Sequence, residues 1–408
     1  MSTNHSTNSP KKQAQNSAIQ SSSAKTSLKV SILHAFFKSD CKGGGEKLIF
    51  AMRDNYNADL YSGAIDLDNW NPKERKADSF VQALWDPKYN FDYLHTDSSI
   101  PIWRKIKRQL FFAISPKINQ LNESDVVFFS GNISMAQGRI TKPKKILYCH
   151  TTPRPFTDQL PALLDSKPTW LHPIIKAFAR LVVWQYTNDC KKVDLIVSNS
   201  TNIQNRLKTH TGLDSIVIYP AVDTNRFQWI TQDDYFVSYA RLESIKRIEL
   251  ILETFALLPD QKLIICSAGP LTAWINDQIK TRNLTNISFE GLVSDERLAQ
   301  IVGKARAGIY IPVNEDAGIT QIEIMAAGKP VIGVDEGALP DTVIDGVTGT
   351  IIPANPSVEN LKQAILEMTT DKALGMKYKC IAHAKNYDQS VFFQKMDVEI
   401  ARLMNENK

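Results

Sequence analysis

Several features that would mark a membrane or secreted protein are missing from this sequence. No stretch is a long uncharged apolar run, so we predict no membrane-spanning helix. Residues 1–27 are rich in Ser, Thr, Asn, Gln and Lys and lack the apolar region of a secretory signal, so we predict a disordered polar tail. Cysteines are few, far apart and without metal-type pairing, which favours a reducing cytoplasm over a disulfide framework. They are Cys41, Cys149, Cys190, Cys266 and Cys380.

Two nucleotide-binding fingerprints are absent as well. The chain has neither the G-x-G-x-x-G of a dinucleotide-binding dehydrogenase nor the G-K-[ST] of a P-loop. It has instead a triple glycine, Gly43, Gly44 and Gly45, between a predicted strand (Leu28–Phe36) and a helical pattern that extends through Arg53. Strand, glycine loop and helix form the local shape of a nucleotide-binding unit, although a plain flexible turn explains the glycines equally well.

Composition and charge indicate a globular protein with an acidic partner. The 408 residues suffice for two domains, and the hydrophobic (43%) and charged (22%) fractions are ordinary. Residues 1–220 hold 29 Lys and Arg against 18 Asp and Glu, whereas residues 221–408 hold 19 against 25. The basic first half suggests an anionic membrane surface or a phospholipid substrate. With no nucleic-acid-binding motif present, we predict no nucleic-acid partner.

The order of the predicted elements indicates an α/β fold built twice over. Strand patterns alternate with helical ones in both halves, which is typical of doubly wound parallel sheets. We predict a domain over 28–222, a second over 223–387, and a last helix within 388–408 that packs back on the first domain. The predicted strands are Leu28–Phe36, Leu60–Ile65, Phe91–His95, Val126–Ser130, Lys145–Cys149, one in each of DLIVSNS and SIVIYPAV, Tyr235–Ala240, Leu263–Ser267, Ile287–Glu290, Gly308–Val313, Pro330–Val334 and Thr350–Ile352.

One helical pattern, Trp103–Ile118, combines large apolar residues with a cluster of cations, Arg104, Lys105, Lys107 and Arg108. Its composition is that of a helix lying on a membrane surface. A core-facing helix with solvated basic residues accounts for the same pattern equally well.

The stretch from Asn314 to Val334, NEDAGITQIEIMAAGKPVIGV, has the strongest functional pattern. It predicts a strand, a tight turn at Gly318, a helix ended by Gly328 and Pro330, and another strand. The first N–H groups of that helix favour an anion such as a diphosphate. Glu315, just before the helix, and Glu323, more than a turn inside it, are then suited to accept hydrogen bonds from hydroxyls. By itself, the pair is also typical of ordinary acids on a helix.

Other polar residues end strands at the same predicted edges. Arg241 and Lys246, separated by four residues, precede a helix and could neutralise a diphosphate. Gly269 marks a neighbouring strand-to-helix turn. His150 follows Lys145–Cys149 and stands where ligands of open α/β sheets bind, although a structural role is equally compatible with its position.

These motifs together resemble glycosyltransferase family 4, whose GT-B fold has two Rossmann-like domains facing each other across a cleft. The resemblance covers nearly everything after residue 28. YCHTTPRP and E-D-x-G-I-T are most similar to the branch of GDP-mannose-dependent mannosyltransferases. The motifs that carry it are KGGGEK, VDLIVSNSTNIQNRL, VIYPAVDTNRF, YARLESIKR, NISFEGLVSDERL, EDAGITQIEIMAAGKPVIG and DGVTGTIIP.

The resemblance implies a role for each candidate residue. Arg241 and Lys246 would hold the donor diphosphate, Glu323 the ribose, and Glu315 the transferred sugar, with His150 near that sugar on the acceptor side. The remaining implied substrate-binding residues are Gly43, Gly44, Gly269, Gly318, Ile319 and Thr320. The sequence departs from the family pattern at Ala317, where Phe is frequent, at Gly45, where Ala is usual, and at Tyr239-Ala240, where Gly is common.

The implied function is that of a retaining hexosyltransferase that needs no metal and no cofactor. It would move mannose from GDP-mannose to a glycan or lipid-linked acceptor in surface polysaccharide or lipopolysaccharide synthesis. We expect a cytoplasmic protein in peripheral contact with the inner face of the cytoplasmic membrane. The alternatives are a UDP-sugar-dependent enzyme of the same fold, a non-catalytic GT-B partner of another glycosyltransferase, and a nucleotide-sugar epimerase.

Overall fold

The computed structural model describes residues 28–34, 43–62, 81–83, 116–131 and 137–406. The predicted polar tail and the predicted strand Phe91–His95 lie outside these residues, as does Trp103–Ile118 up to residue 115. The last three residues of that pattern belong to a 3-10 helix, Pro116–Glu123, in which Ile118 is fully buried. At this end of the pattern, the core-facing interpretation therefore holds.

The amino-terminal sheet has seven described strands, all parallel, in the order β3-β2-β1-β4-β5-β6-β7. The central strands β1 and β4 are buried along their whole length, because helices cover both faces of a parallel sheet. The short strand β3 was not among the predicted ones. The strands are β1 (Val30–His34), β2 (Asp59–Ser62), β3 (Val81–Ala83), β4 (Val126–Ser130), β5 (Lys144–Cys149), β6 (Leu195–Ser198) and β7 (Ile216–Val217).

The carboxyl-terminal sheet repeats this plan with six parallel strands in the order β10-β9-β8-β11-β12-β13. The predicted strand Gly308–Val313 is wrong at both ends, because the structure ends that strand at Ile309 and the chain continues as a buried loop. The strands are β8 (Phe236–Ser238), β9 (Leu263–Cys266), β10 (Ile287–Gly291), β11 (Ala307–Ile309), β12 (Val331–Val334) and β13 (Gly349–Ile352).

Helices connect the strands, and local signals set their ends. Ser200 caps the helix Thr201–Thr211 by accepting a hydrogen bond from the Ile203 N–H at 3.1 Å, and Gly212 ends that helix with a φ of 72°. The helices are α1 (Gly44–Tyr56), α2 (Leu160–Asp165), α3 (His172–Cys190), α4 (Thr201–Thr211), α5 (Ile248–Ala256), α6 (Thr272–Thr281), α7 (Asp295–Lys304), α8 (Thr320–Ala326), α9 (Leu339–Thr342), α10 (Val358–Glu367), α11 (Thr370–Ala384) and α12 (Gln389–Asn405). Further 3-10 turns span Gln137–Arg139, Arg154–Phe156, Thr169–Leu171, Ser244–Lys246 and Lys385–Tyr387.

Two separate apolar cores lie under these sheets. One is formed by the strands and helices that precede residue 219, and the other extends from Val222 to Ala384. The last helix, α12, belongs to the first core, where Phe392, Met396 and Ile400 are buried. The hydroxyl of Tyr56 on α1 also donates to Asp397 on α12 at 3.0 Å. The first core thus combines segments from both ends of the chain.

Both sheets turn the same edge toward the crevice between the cores. The strand order reverses between β1 and β4 in one sheet and between β8 and β11 in the other. At such a reversal, the loops leaving the two strands diverge to opposite faces and leave a crevice, which is where open α/β sheets bind ligands. No helix among the described residues is long and apolar enough to cross a membrane.

Candidate active site

The loop Asn314–Ile319 lies at the centre of the crevice, with Lys246 against it. The Lys246 ammonium forms an ion pair with the Glu315 carboxylate and donates to the Tyr310 hydroxyl at 3.3 Å. Both members of the pair are mostly buried. The structure therefore joins two residues for which the sequence predicted separate contacts, one with the diphosphate and one with the sugar.

Arg241 stands at the mouth of the same crevice, on the loop that leaves β8. Its Nε contacts a Glu243 carboxylate oxygen at 2.9 Å, and 56% of its side chain is exposed. Because the Arg241 guanidinium is exposed, it can bind a diphosphate without losing a buried partner.

The backbone of Gly269 lies directly against the loop that carries Arg241. A Cβ atom at residue 269 would lie 2.5 Å from the carbonyl oxygen of Leu242 and 2.8 Å from its nitrogen. The two loops are also joined by hydrogen bonds, from Leu242 N–H to Ala268 O at 3.2 Å and from Leu271 N–H to Leu242 O at 3.1 Å. Gly269 therefore permits a close approach of two backbones, which fixes the position of Arg241.

Gly318 turns the chain into α8 with a φ of 67°, in the left-handed region that glycine tolerates best. Ile319 is the N-cap and Thr320 the first helical residue, so Glu323 lies in the first turn. The prediction that Glu323 sits more than a turn inside the helix is wrong, because the helix begins after the turn instead of at it. Gly328, with a φ of 70°, follows the end of α8 as predicted.

Glu323 is a buried carboxylate held by one hydroxyl. The Tyr239 hydroxyl lies 3.1 Å from a Glu323 carboxylate oxygen and 3.1 Å from the Thr320 carbonyl oxygen, and these two acceptors share its one hydrogen. Burial raises the pKa of Glu323, and the charge of Lys47, on α1 of the other domain, opposes that shift across the crevice. Tyr239, whose effect the sequence did not reveal, therefore positions the predicted ribose-binding acid.

The triple glycine faces this loop from the amino-terminal domain. Gly43 is the N-cap of α1 and has no side chain to cap it, and the carboxylate of Glu46, in the first turn, lies against Gly43. Gly44 and Gly45, predicted as a loop, form the first helical turn. A Cβ at Gly44 would lie 3.6 Å from the Ile319 side chain, which places the two predicted substrate-binding segments in contact range.

His150 ends a line of three polar side chains along the carboxyl edge of the first sheet. Its Nε2 lies 2.8 Å from the Ser130 hydroxyl, which lies 2.9 Å from Nδ1 of His34. Because Ser130 has one hydrogen to donate, it donates to one imidazole and accepts from the other. Burial lowers the pKa of His150 to about 4, so the ring is neutral near pH 7.

A partly buried ion cluster holds the Glu315 loop against the amino-terminal domain. Asp316 contacts Arg206 at 2.6 Å and Arg154 at 3.4 Å, and both arginines also reach Asp158, at 3.6 and 3.1 Å. The backbone of the loop is held as well, because Asn202 donates to the Glu315 carbonyl at 2.8 Å. This cluster was not predicted, because its members lie in three separate segments of the chain.

The predicted site residues thus fall into two groups across one crevice. Lys246 and Glu315 touch directly, and Arg241, Glu323, Gly318, Ile319 and Thr320 lie on adjoining loops of the carboxyl-terminal domain. His150 lies on the opposite wall, where a Cβ at Gly45 would come within 3.8 Å of its ring. Within the described ranges, no group of three or more His, Cys, Asp and Glu could hold a metal ion. Four cysteines, Cys149, Cys190, Cys266 and Cys380, are free and buried there, and Cys41 lies outside these ranges.

Comparison with known proteins shows that the chain is similar to glycosyltransferases. Residues 222–387 match the family model for glycosyl transferases group 1. The chain is 26% identical over 314 residues to an alpha-1,3/1,6-mannosyltransferase ALG2 of Dictyostelium discoideum, which covers 64% of this chain and 71% of that protein. It is 24% identical over 307 residues to the GDP-Man:Man(3)GlcNAc(2)-PP-Dol alpha-1,2-mannosyltransferase of the same organism, covering 68% and 55%.

Solved structures share the fold at low identity. The sucrose-phosphate synthase of Thermosynechococcus elongatus superposes with a TM-score of 0.71 at 15% identity, covering 92% of this chain and all of that one. Anabaena Alr3699/HepE in complex with UDP and glucose gives 0.67 at 16%, covering 92% and 99%. The two-domain parallel architecture is therefore the GT-B fold.

Proposed function

Because the chain is a glycosyltransferase of the GT-B fold, similar to the family 4 enzymes and with mannosyltransferases among its relatives, we propose that it transfers mannose from GDP-mannose with retention of configuration and without a metal ion. The acceptor is a glycan or a lipid-linked sugar, in surface polysaccharide or lipopolysaccharide synthesis at the inner face of the membrane. Residues 28–222 form the acceptor side and residues 223–387 the donor side. The basic composition of the first half supports an acidic or membrane-bound acceptor.

The observation that carries the proposal is the charge arrangement at the β8–β11 edge. Arg241 and Lys246 supply two cations on one loop, and Glu315 and Glu323 supply acceptors for hydroxyls on the next. As the bond to the sugar breaks, negative charge grows on the leaving diphosphate, and positioned cations lower the barrier for that step. A diphosphate that engages Lys246 also frees the Glu315 carboxylate to bind the sugar.

The two walls have different tasks in this proposal. Glu323, held by Tyr239, grips the ribose and sets the position of the donor. The backbone of Gly43 and Gly44, at the start of α1, approaches the phosphates from the other domain. Neutral His150, fixed by Ser130, faces the transferred sugar and donates or accepts a hydrogen bond without adding charge.

The donor is the first point to test. The purified chain is mixed with GDP-mannose, UDP-glucose and ADP-glucose, and its melting temperature is recorded for each. A ligand present at a hundred times its dissociation constant stabilises the folded chain by about 2.7 kcal/mol, so the true donor gives a clear shift. A shift with UDP-glucose and none with GDP-mannose would overturn the donor assignment. The UDP-bound Anabaena neighbours make UDP-glucose the appropriate competitor.

Turnover is the second point. Release of the nucleoside diphosphate is followed with simple mannosides and lipid-linked sugars as acceptors, and the anomeric configuration of the product is read by NMR. An α-linked product, formed equally well in the presence of a chelator, supports the proposal. A donor that binds tightly but is never consumed with any acceptor favours the alternative of a non-catalytic partner, and an inverted product refutes retention.

A further inference from the structure

Helix α3 exposes an apolar stripe that nothing in the described part of the chain covers. Trp170, in the turn just before the helix, is 71% exposed, and Ile174, Leu181 and Trp184 are 61%, 56% and 60% exposed. Their spacing of three, four and seven residues puts them on one face of the helix. A row of four large apolar side chains in water indicates a contact surface, whereas scattered single ones do not.

The opposite face of α3 is firmly packed. Ala179, Tyr186 and Cys190 are buried, and Phe178 meets Phe156 edge to face with ring centroids 5.4 Å apart. The exposed stripe is therefore presented by a helix fixed to its domain. It is not the outer face of a loosely attached segment.

The exposed charges of the helix beside the stripe are basic, namely Lys176 and Arg180, and Lys191 is exposed just after the helix. One exposed acid, Asp165, ends α2 five residues before Trp170. The helix has one acid, Asp189, which is buried and paired with Lys192 at 3.0 Å. Long basic side chains can lie along apolar surface and still keep their charges in a polar headgroup layer.

We propose that the face of α3 from Trp170 to Trp184 docks on an anionic lipid bilayer, lying in the interface plane. Tryptophan favours the boundary between headgroups and hydrocarbon, and one stands at each end of the stripe. Apolar residues flanked by cations on a single helix face match an anionic surface. A second copy of this chain fits less well, because Lys176 and Arg180 would approach the same cations of the other copy.

The position of α3 connects this surface to the crevice. Phe178 packs on the turn Arg154–Phe156, and Arg154 reaches the Asn314 carbonyl at 3.3 Å and the Asp316 carboxylate at 3.4 Å. A lipid-anchored acceptor would thus meet the crevice next to the docking face. The inference does not depend on the proposed donor or acceptor, because vesicle binding is measured without turnover.

The test uses the full chain and two kinds of vesicle, phosphatidylcholine alone and phosphatidylcholine mixed with phosphatidylglycerol. The wild-type chain should float with the anionic vesicles and much less with the neutral ones. Trp170→Gln combined with Trp184→Gln should lower the partition coefficient roughly tenfold or more, because two amphipathic anchors are lost. Lys176→Gln combined with Arg180→Gln should reduce the preference for the anionic vesicles.

Matched controls separate this face from general stickiness. Leu257→Gln and Tyr378→Gln remove side chains that are 61% and 78% exposed on the carboxyl-terminal domain, and both variants should bind vesicles like the wild type. If the tryptophan pair fails to fold, Ile174→Gln with Leu181→Gln replaces it. Unchanged binding in the stripe variants overturns the proposal. So does a wild-type dimer that ignores vesicles and dissociates when the stripe is changed.

Discussion

Replacing Asp316 by Asn tests whether the partly buried ion cluster holds the Glu315 loop in place. Asn has the same shape but no charge, so Arg206, only 5% exposed, loses the negative charge of its partner at 2.6 Å and keeps that of Asp158 at 3.6 Å. Breaking a fully buried pair costs about 3–5 kcal/mol, and an exposed pair contributes about 0–1 kcal/mol. Asp316 is 23% exposed and Arg206 keeps one acid, so we expect a cost of about 2 kcal/mol.

The loss should appear as easier local opening of the loop. The Ala338 N–H donates to the Glu315 carbonyl at 3.0 Å, so its hydrogen-exchange rate reports how often the loop leaves its place. A cost of about 2 kcal/mol corresponds to exchange that is roughly thirtyfold faster. The same opening should lower kcat/KM for transfer, since Glu315 and Lys246 are then misplaced for part of the time.

The control is a comparable ion pair on the surface. Arg282 contacts Glu253 at 2.6 and 3.0 Å, with side chains 35% and 45% exposed, so Glu253→Gln should leave the Ala338 exchange rate unchanged. Arg206→Met combined with Asp316→Asn should cost less than the sum of the two single changes, because their charges interact. Additive effects, or an unchanged exchange rate in the Asp316 variant, would refute this reasoning.

Other residues of the crevice give further expectations. Lys246→Ala should mainly lower kcat and Glu323→Ala should mainly weaken donor binding, and normal steady-state kinetics in both variants would remove these roles. Gly269→Ala should lower activity and melting temperature, because its Cβ meets the Leu242 carbonyl at 2.5 Å, and a wild-type melting curve would disprove that clash. The pKa of His150 falls from 6.5 to about 4 on folding, so the unfolded chain binds more protons between these values and stability decreases as the pH is lowered through them. His150→Asn should flatten that part of the curve of melting temperature against pH, and an equally steep curve would count against the shift.

The sequence predicted the repeated strand–helix order because buried parallel strands are nearly continuous apolar runs. Strand β4 matches its predicted bounds, and the strands of the carboxyl-terminal half differ from theirs mainly at the ends. The ends of strands were less predictable, since residues 310–312 remain buried and apolar after the strand has ended at Ile309. Strand β3 was not predicted, because the three residues Val81–Ala83 are too few to show the period of a strand.

The site was predictable where one short motif holds the whole pattern. Glu315, Gly318 and Glu323 share a single loop and helix, so their spacing was informative. The line from His34 through Ser130 to His150 was within reach, because each of the three residues ends or follows a strand and those strands are neighbours. Asp316 could not be paired with Arg154 and Arg206, because nothing in a single sequence relates charges so far apart.

Because α12 packs in the first core, the two domains complete their cores in a fixed order during synthesis. The amino-terminal half is synthesised well before Phe392, Met396 and Ile400. Until these residues are made, the core of the first domain is incomplete and its apolar side chains stay exposed. The second domain has all the residues of its own core once Ala384 is synthesised, so it can fold first. The domain that is synthesised first is therefore the last to complete its core. A nascent chain stalled before residue 389 would carry a complete second domain and an incomplete first domain that chaperones can bind.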